Sequence, residues 1–586
     1  IKVCSGDYFY GFLNQVLNMI KKQRDYKIRL GIVLILFGIL FTIVLMRLFL
    51  LQIYQKNFFR VLANQQYNFS IKVNLPRGEI FDRSGQELLA FNRSVPSAFI
   101  LPHQFVEQKK TENFLKRFYP TVYKKMKSRP DKHFLWLDRV LNDEQVENLK
   151  NKGTSDIQFI DEPRRFYFSP SSAHLIGFTD IDSKGISGIE LEFEKWLGGK
   201  PMHITIQKDA RSKNFYFGKE IEKAGYYGKP IKLTIDKNIQ NLAFEELESV
   251  IQNYQAESGS VLVLDPENGH VIAMTNYPSF DPNQKNIQQL DITKNFIVSE
   301  CFELGSVMKA FLALAALAEE VVTLDEIFDC QGKIAYVNGV KVENWKSLGE
   351  LSFADVIKFS SNVGVAKVAM RLGPKLYDHL KKVGFGTKTG IEFPGERDGF
   401  VNPPKNWSRS SPIVMSFGYE VMASLLQLGR AFCIFSNGGY LVNPTLVIEP
   451  KVNPEIKNKT SCHPELVSGS INCSSSKIKL YNDNVISKMR QILSGVGDLH
   501  PIRGCSVMGK TGTARCASHG GYSDKEHVYT FVGIVEKGNY KRVIVTFINR
   551  PQKAYLWASQ VAAPLFQRVA ERMLIYESAD KHEIMI

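Results

Sequence analysis

The stretch that decides the fold is "FELGSVMKAFLALAALAEEVV", residues 302–322. Ser306 stands three residues before Lys309, and an unbroken apolar run, Ala310 to Ala318, follows. On a helix, positions i and i+3 share a face. A run that is apolar all round belongs to a buried helix. Gly305 suits a tight loop-to-helix turn just before it. A serine at such a helix start gains from the helix dipole, which favours developing negative charge. A lysine held in apolar surroundings has its pKa depressed and can act as a neutral base. Together these are the requirements for an activated serine without histidine. The alternative is the polar start of an ordinary core helix. The spacing alone does not separate the two, because it recurs at Ser474–Lys477 and Ser476–Lys479.

Two further patterns separate them. "KFSSNVGVAKVA" carries Ser360-Ser361-Asn362, a hydroxyl and an amide two residues apart at a turn entering a helix. "MGKTGTARC" carries Lys510-Thr511-Gly512-Thr513 ahead of two β runs, "VYTFVGIV" (528–535) and "RVIVTFIN" (542–549). A strand with an exposed edge is expected there. Gly512 would let a substrate backbone approach, Lys510 would supply positive charge, and the threonine hydroxyls would bind a carboxylate. Ser212–Asn214, Ser470–Asn472 and Lys388–Gly390 repeat the patterns by composition alone; Lys388 falls in a loop ending in Pro-Gly.

Around these motifs, "GSVLVLDPENGHVIAMTN" (259–276) is a hairpin signature, two apolar runs flanking Pro-Glu-Asn-Gly. A helix started by an Asp236 cap precedes it, and a helix from about Trp557 to Ile575 closes the chain. Strands from both ends of a region with helices between them predict an α+β domain. Residues 451–478, polar and Ser-rich, read as a surface loop insertion. Upstream, "LPRGEIFDRSGQELLA" (75–90) reads as turn, strand, turn, strand. Gly78 and Gly85 punctuate it, and Arg77, Asp82 and Arg83 are placed to cross-link it. "KGISGIELEFEKWLGGK" (184–200) is a turn followed by a helix carrying Glu190. These are framework residues.

Leu30 to Met46 contains no charged residue, and apolar sequence resumes after Arg47 as far as Tyr54. The charge-free core spans about 25 Å as a helix. Lys21, Lys22, Arg24, Lys27 and Arg29 precede it, while basic residues thin out after it. This bias predicts a single-pass anchor with the N-terminus cytoplasmic and the rest of the chain outside. Met19 reads as a more natural start than Ile1, which would leave residues 1–18 outside the translated chain.

The chain has 586 residues and a net charge of +15, with the basic residues spread along it and no nucleic-acid-binding motif. A cationic solvated surface is therefore expected, with no nucleic-acid partner. No cysteine pair has CxxC spacing, so no metal site is expected; Cys462 and Cys473 either pair in their polar loop or stay free thiols.

In order and context, Ser306–Lys309, Ser360–Asn362 and Lys510–Gly512 resemble the penicillin-recognising serine enzymes. "RGEIFDRSGQELLA", "GISGIE", "LTIDKNIQ", "SSNVGVAKVA", "GFGTKTGIEFPGERDG", "SFGYE" with "LLQLGRAF", and "GKTGTA" resemble class B penicillin-binding proteins, nearly continuously from residue 30 to about 572. Ser-Ser-Asn, "FPGE" and "SFGY" are more similar to the cell-division (septal) transpeptidase than to its elongation paralogue.

The resemblance implies a cytoplasmic tail (1–29), an anchor (30–54) in the bacterial inner membrane, and a non-catalytic pedestal or dimerisation-type module (55–230). A transpeptidase domain (231–586) would follow, with a five-stranded antiparallel sheet and a helical subdomain. It further implies a peptidoglycan D,D-transpeptidase needing no cofactor, which takes stem peptides as substrates and is acylated by β-lactams. Its implied partners are a SEDS-type polytopic glycosyltransferase and division proteins. Carried over motif by motif, Ser306 is the nucleophile and Lys309 its base. Ser360 would shuttle a proton, and Asn362 would hold Lys309 and the substrate amide. Lys510, Thr511 and Thr513 would bind the terminal carboxylate. The N–H groups of Ser306 and Thr513 would form the oxyanion hole. Leu304 and Val307 replace the family's proline and threonine beside the nucleophile, which is expected to loosen that turn. Glu420 stands where a glycine is usual, and Ala423 replaces a common threonine. A Ser-His-Asp hydrolase is disfavoured, since no G-x-S-x-G occurs. Elongation-type transpeptidase, hydrolytic relatives and a non-catalytic β-lactam sensor or division scaffold remain as alternatives.

Overall fold

The structure is a computed structural model and describes residues 7–73, 75–130, 132, 134–208, 215–223, 225–284, 290–449, 477–518, 521–552 and 557–583. Two compact units divide the chain: residues 1–73 with 202–224, and residues 74–201 with 225–586. In the first unit a helix, Asp7–Phe49, passes through a π-turn, Leu50–Tyr54, into a second helix, Lys56–Tyr67. Phe9–Tyr54 is long and apolar enough to cross a membrane. The cationic stretch before the apolar core belongs to the same helix, continuous with the span. Strands 68–73, 202–208 and 215–223 form a three-stranded antiparallel sheet.

In the second unit, residues 506–518, 521–537, 540–551, 256–264 and 271–277 form a five-stranded antiparallel sheet, paired in that order. Both faces are covered, so successive residues of each strand enter different cores. Val261 and Val263 join Ile239, Leu247, Phe566 and Val569 from helices Lys237–Tyr254 and Ala558–Glu583. Leu262 and Leu264 join the opposite core, with helices Lys309–Ala318 and Leu425–Cys433. The Asp236 carboxylate caps its helix as expected, accepting from the N–H groups of Asn238 and Ile239.

A second sheet runs 447–449, 231–233, 80–81, 88–100, 135–138, with 157–167 also paired to 88–100. Ile231–Leu233 pairs in parallel with 80–81, so strands from either side of residue 230 share this sheet. The insertion expected at 451–478 falls almost wholly outside the described residues; Ile478 pairs with Leu441.

Arg77 and Glu190 tie the segment before strand 80–81 to helix Gly188–Glu192. Arg77 Nε donates to Glu190 Oε2 at 2.9 Å and Nη1 to Glu194 Oε2 at 2.8 Å, while Arg165 Nε donates to Glu190 Oε1 at 2.5 Å. Gly78 N donates to Leu197 O. Asp82 and Arg83 depart from the expected cross-link. The Asp82 carboxylate closes its own turn, accepting from Ser84 N, Ser84 Oγ and Gly85 N, and Arg83 is tied through its backbone N–H to Ile235 O. A carboxylate two or three residues before free N–H groups satisfies them locally sooner than it reaches a distant cation.

Candidate active site

The nucleophile candidate sits on a 3-10 turn, Gly305–Met308, that runs directly into the buried helix Lys309–Ala318. Gly305 opens the turn at φ +59°. Ser306 is half-buried, and its Oγ makes no hydrogen bond among the described residues. Leu304 and Val307, expected to loosen this turn, are buried in the core at 1% and 0% exposure. Apolar packing holds the turn that proline stereochemistry and a threonine hydroxyl would otherwise hold.

Lys309 is wholly buried, and its side-chain nitrogen lies within hydrogen-bond distance of three oxygens. Nζ donates to Ser360 O at 2.7 Å, Ser360 Oγ at 3.1 Å and Asn362 Oδ1 at 2.6 Å. Burial, and then the nearby Lys510 cation, hold its pKa well below the ordinary lysine range. The helix start alone did not foretell these partners. They arrive from the turn before helix Asn362–Leu372, where Ser360 adopts φ +57° and so turns its carbonyl toward Lys309.

Lys510 lies on the sheet's edge strand, Ser506–Ser518, as expected. It too is fully buried, with Nζ donating to Ser360 Oγ at 3.2 Å and Thr511 O at 3.2 Å. Burial lowers its pKa to about 7. Ser360 Oγ thus stands between the two lysine side-chain nitrogens. Thr511 and Thr513 are half-buried on the same strand, and that strand pairs only with 521–537, leaving its outer edge open among the described residues. Gly512 also makes room for the nucleophile turn. A Cβ there would lie 2.4 Å from Leu304 O and 2.5 Å from Val307 Cγ2, so its lack of a side chain lets the edge strand lie against the nucleophile turn. Thr513 O likewise lies 2.5 Å from where a Gly305 Cβ would be.

The motifs expected to be chemical therefore converge; of the framework residues, Arg77 and Glu190 share one ion-pair network, Gly78 bonds Leu197 O, Asp82 and Gly85 share a local turn, and Arg83 bonds Ile235 O. The look-alike Lys388 is exposed and pairs loosely with Asp398 at 3.8 Å. Lys477 pairs with Glu267; Ser474, Ser476, Cys462, Cys473 and the Ser212 and Ser470 motifs lie outside the described residues.

Sequence reasoning missed two groups. Asn344, at the end of a hairpin, accepts from Ser361 Oγ and from the N–H groups of Asn362 and Val363. Glu303, three residues before Ser306, accepts from Tyr522 OH at 3.1 Å and Glu420 N at 2.9 Å. Glu420 adopts φ +58°, the conformation a glycine takes easily, and its carboxylate is held by Asn402 and Ser411. Burial, and next the Glu420 charge, raise the Glu303 pKa. The only signal in the sequence was Glu420 standing in a glycine position.

A serine heading a buried helix, a buried lysine beside it and a lysine-bearing open edge strand define a serine enzyme of the penicillin-recognising class. Residues 259–571 match the penicillin binding protein transpeptidase domain, and residues 72–233 the penicillin-binding protein dimerisation domain. The chain belongs to the penicillin-binding protein transpeptidase family, in its class B form, and is an enzyme of the peptidoglycan D,D-transpeptidase type. It is 30% identical over 570 residues to the probable peptidoglycan D,D-transpeptidase PenA of Neisseria gonorrhoeae, covering 94% of this chain and 93% of the relative. It is 29% identical over 542 residues to the peptidoglycan D,D-transpeptidase FtsI of Escherichia coli, covering 88% and 87%. The crystal structure of penicillin binding protein 3 from Mycobacterium tuberculosis, complexed with aztreonam, shares the fold at a TM-score of 0.64 and 24% identity, covering 87% of this chain and 97% of that one.

Proposed function

We propose that this protein cross-links septal peptidoglycan through an acyl-enzyme on Ser306. The observation that carries this reading is Lys309, buried and held by Ser360 and Asn362, with Lys510 sharing the same Ser360 hydroxyl. Ser306 Oγ attacks the carbonyl of the D-Ala–D-Ala bond of a stem peptide and passes its proton to neutral Lys309. The N–H groups of Ser306 and Thr513 receive the oxyanion, each such donor contributing about 3 kcal/mol. Ser360 Oγ relays a proton to the departing D-Ala amine, and Lys510, Thr511 and Thr513 hold the terminal carboxylate. The donor peptide adds along the open edge strand. An amine of a neighbouring stem peptide then attacks the ester and frees Ser306. A β-lactam carbonyl acylates the same oxygen.

The septal assignment rests on Ser-Ser-Asn, "FPGE" and "SFGY", and on similarity to a protein named FtsI. On this reading residues 1–29 are cytoplasmic and 30–54 span the inner membrane, as the basic flank favours. Residues 55–230 form the pedestal, 231–586 the periplasmic catalytic domain. A SEDS-type glycosyltransferase and division proteins are the partners. Labelling with a fluorescent penicillin tests the chemistry: the wild type labels and Ser306→Ala does not. An unlabelled wild type, or a labelled Ser306→Ala, overturns it. Cross-linking of lipid-linked peptidoglycan with an acceptor amine, against hydrolysis, tests the reaction. A fluorescent fusion absent from the division plane overturns the septal role.

A further inference from the structure

The Ser360–Asn362 turn is gripped from outside by three consecutive residues, Glu343, Asn344 and Trp345, that none of the motifs contains. They end the hairpin 334–337/340–343, whose strands pair antiparallel. Asn362 Nδ2 donates to Glu343 O at 2.7 Å. Asn344 is 3% exposed, and its Oδ1 accepts from Ser361 Oγ at 3.2 Å, Asn362 N at 2.9 Å and Val363 N at 3.2 Å. Its Nδ2 donates to Cys330 O at 3.0 Å and Gly332 O at 3.4 Å. Backbone N–H groups can only donate and carbonyls only accept, so this network fixes which way the amide points. Trp345 Nε1 donates to Phe359 O at 3.1 Å from a ring that is 49% exposed.

Phe359 and Ser361, the residues on either side of Ser360, are thus both fixed. Ser361 is held again by its own N–H on Val356 O and by its hydroxyl accepting from Gly364 N. Between them Ser360 takes the left-handed conformation, uncommon for a residue with a side chain, and this aims its carbonyl at Lys309 Nζ. The Asn362 side chain is fixed at both ends, by Glu343 O and by Lys309 Nζ.

We infer that Glu343–Asn344–Trp345 is a positioning clamp for the acylation step. It acts through Ser360 and Asn362, with Asn344 as its central residue, and sets Lys309 where it can take the Ser306 proton. The inference rests on the transpeptidase reading above. A base held within a few tenths of an ångström of its working place contributes to rate in a way that substrate affinity does not report.

The test is the concentration dependence of acylation of the full chain in detergent by a fluorescent penicillin, which separates the maximal acylation rate from the half-saturating concentration. Rates are expressed per folded molecule. Asn344→Leu should lower the maximal rate at least tenfold and leave half-saturation within twofold. Asn344→Asp keeps an oxygen for the three donors but turns its other oxygen to the carbonyls of Cys330 and Gly332. Its melting temperature should fall while its maximal rate stays within threefold of wild type. Trp345→Phe, at an exposed ring, should lower the maximal rate two- to fivefold with the melting temperature unchanged. Should Asn344→Leu not fold, the Asp and Phe variants decide. Wild-type rates in Asn344→Leu or Trp345→Phe, or rates that fall in step with melting temperature in both Asn344 variants, overturn the clamp. A wild type that is not acylated at all overturns the transpeptidase reading instead.

Discussion

Replacing Lys510 with methionine tests how far the active site opposes folding. Lys510 is wholly buried, and its pKa falls from 10.5 to about 7, with burial as the cause. The unfolded chain takes up this proton as pH drops through 10.5, while the folded chain does so only near 7. Between those values the unfolded state binds more protons, so stability falls as pH falls, and the loss levels off below about pH 7. At about 1.4 kcal/mol per unit, the penalty is about 2 kcal/mol at pH 9 and about 4 kcal/mol at pH 7. Lys510→Met keeps most of the apolar stem and removes the proton site. It also removes hydrogen bonds to Ser360 Oγ and Thr511 O, a loss of about 1 kcal/mol each that does not vary with pH. Urea denaturation of both proteins at pH 6.5, 7, 8 and 9 reads the difference. The variant should gain on the wild type by about 2 kcal/mol between pH 9 and pH 7, and its penicillin acylation should fall sharply. A stability difference that stays constant across that range refutes the argument that burial alone depresses Lys510.

Gly512→Ala places a methyl 2.4 Å from Leu304 O. The edge strand must withdraw from the nucleophile turn, at a cost of about 2 kcal/mol in stability and a more than tenfold loss in acylation rate. Glu190→Gln leaves the buried Arg165 guanidinium without its carboxylate and Arg77 with Glu194 alone. It should destabilise by about 3 kcal/mol or more, read by thermal denaturation, while acylation per folded molecule stays at the wild-type level. Asp236→Ala removes the acceptor for two helix N–H groups; about 1 kcal/mol should be lost in denaturant titration.

The local signals were legible in the sequence. The uniformly apolar run after Lys309, the apolar β runs at 259–276 and 528–549, and the Asp236 cap each depend on neighbours a few residues away. The structure realises them as a buried helix, a two-faced sheet and a capped helix. The three motifs were legible as a set because their order and context resemble a known family. Composition alone also produced Lys388–Gly390 and Ser474–Lys477, which spacing by itself could not exclude and only their loop context set aside.

Tertiary structure decided how the motif residues meet. Which groups occupy Lys309 depends on residues more than fifty positions away, and on Ser360 holding a backbone conformation that its flanks impose. The part played by Gly512 follows from the carbonyl of Leu304, and Asn344 reaches the site from a hairpin that carries none of the motifs. Asp82 shows the reverse case, where a nearby N–H outcompeted a distant cation. Propensity and periodicity act along the chain and can be read from it. Hydrogen-bond partners, burial and the pKa values they set act through space, and they take their values only when the sheet edge, the helix start and the hairpin end have packed together.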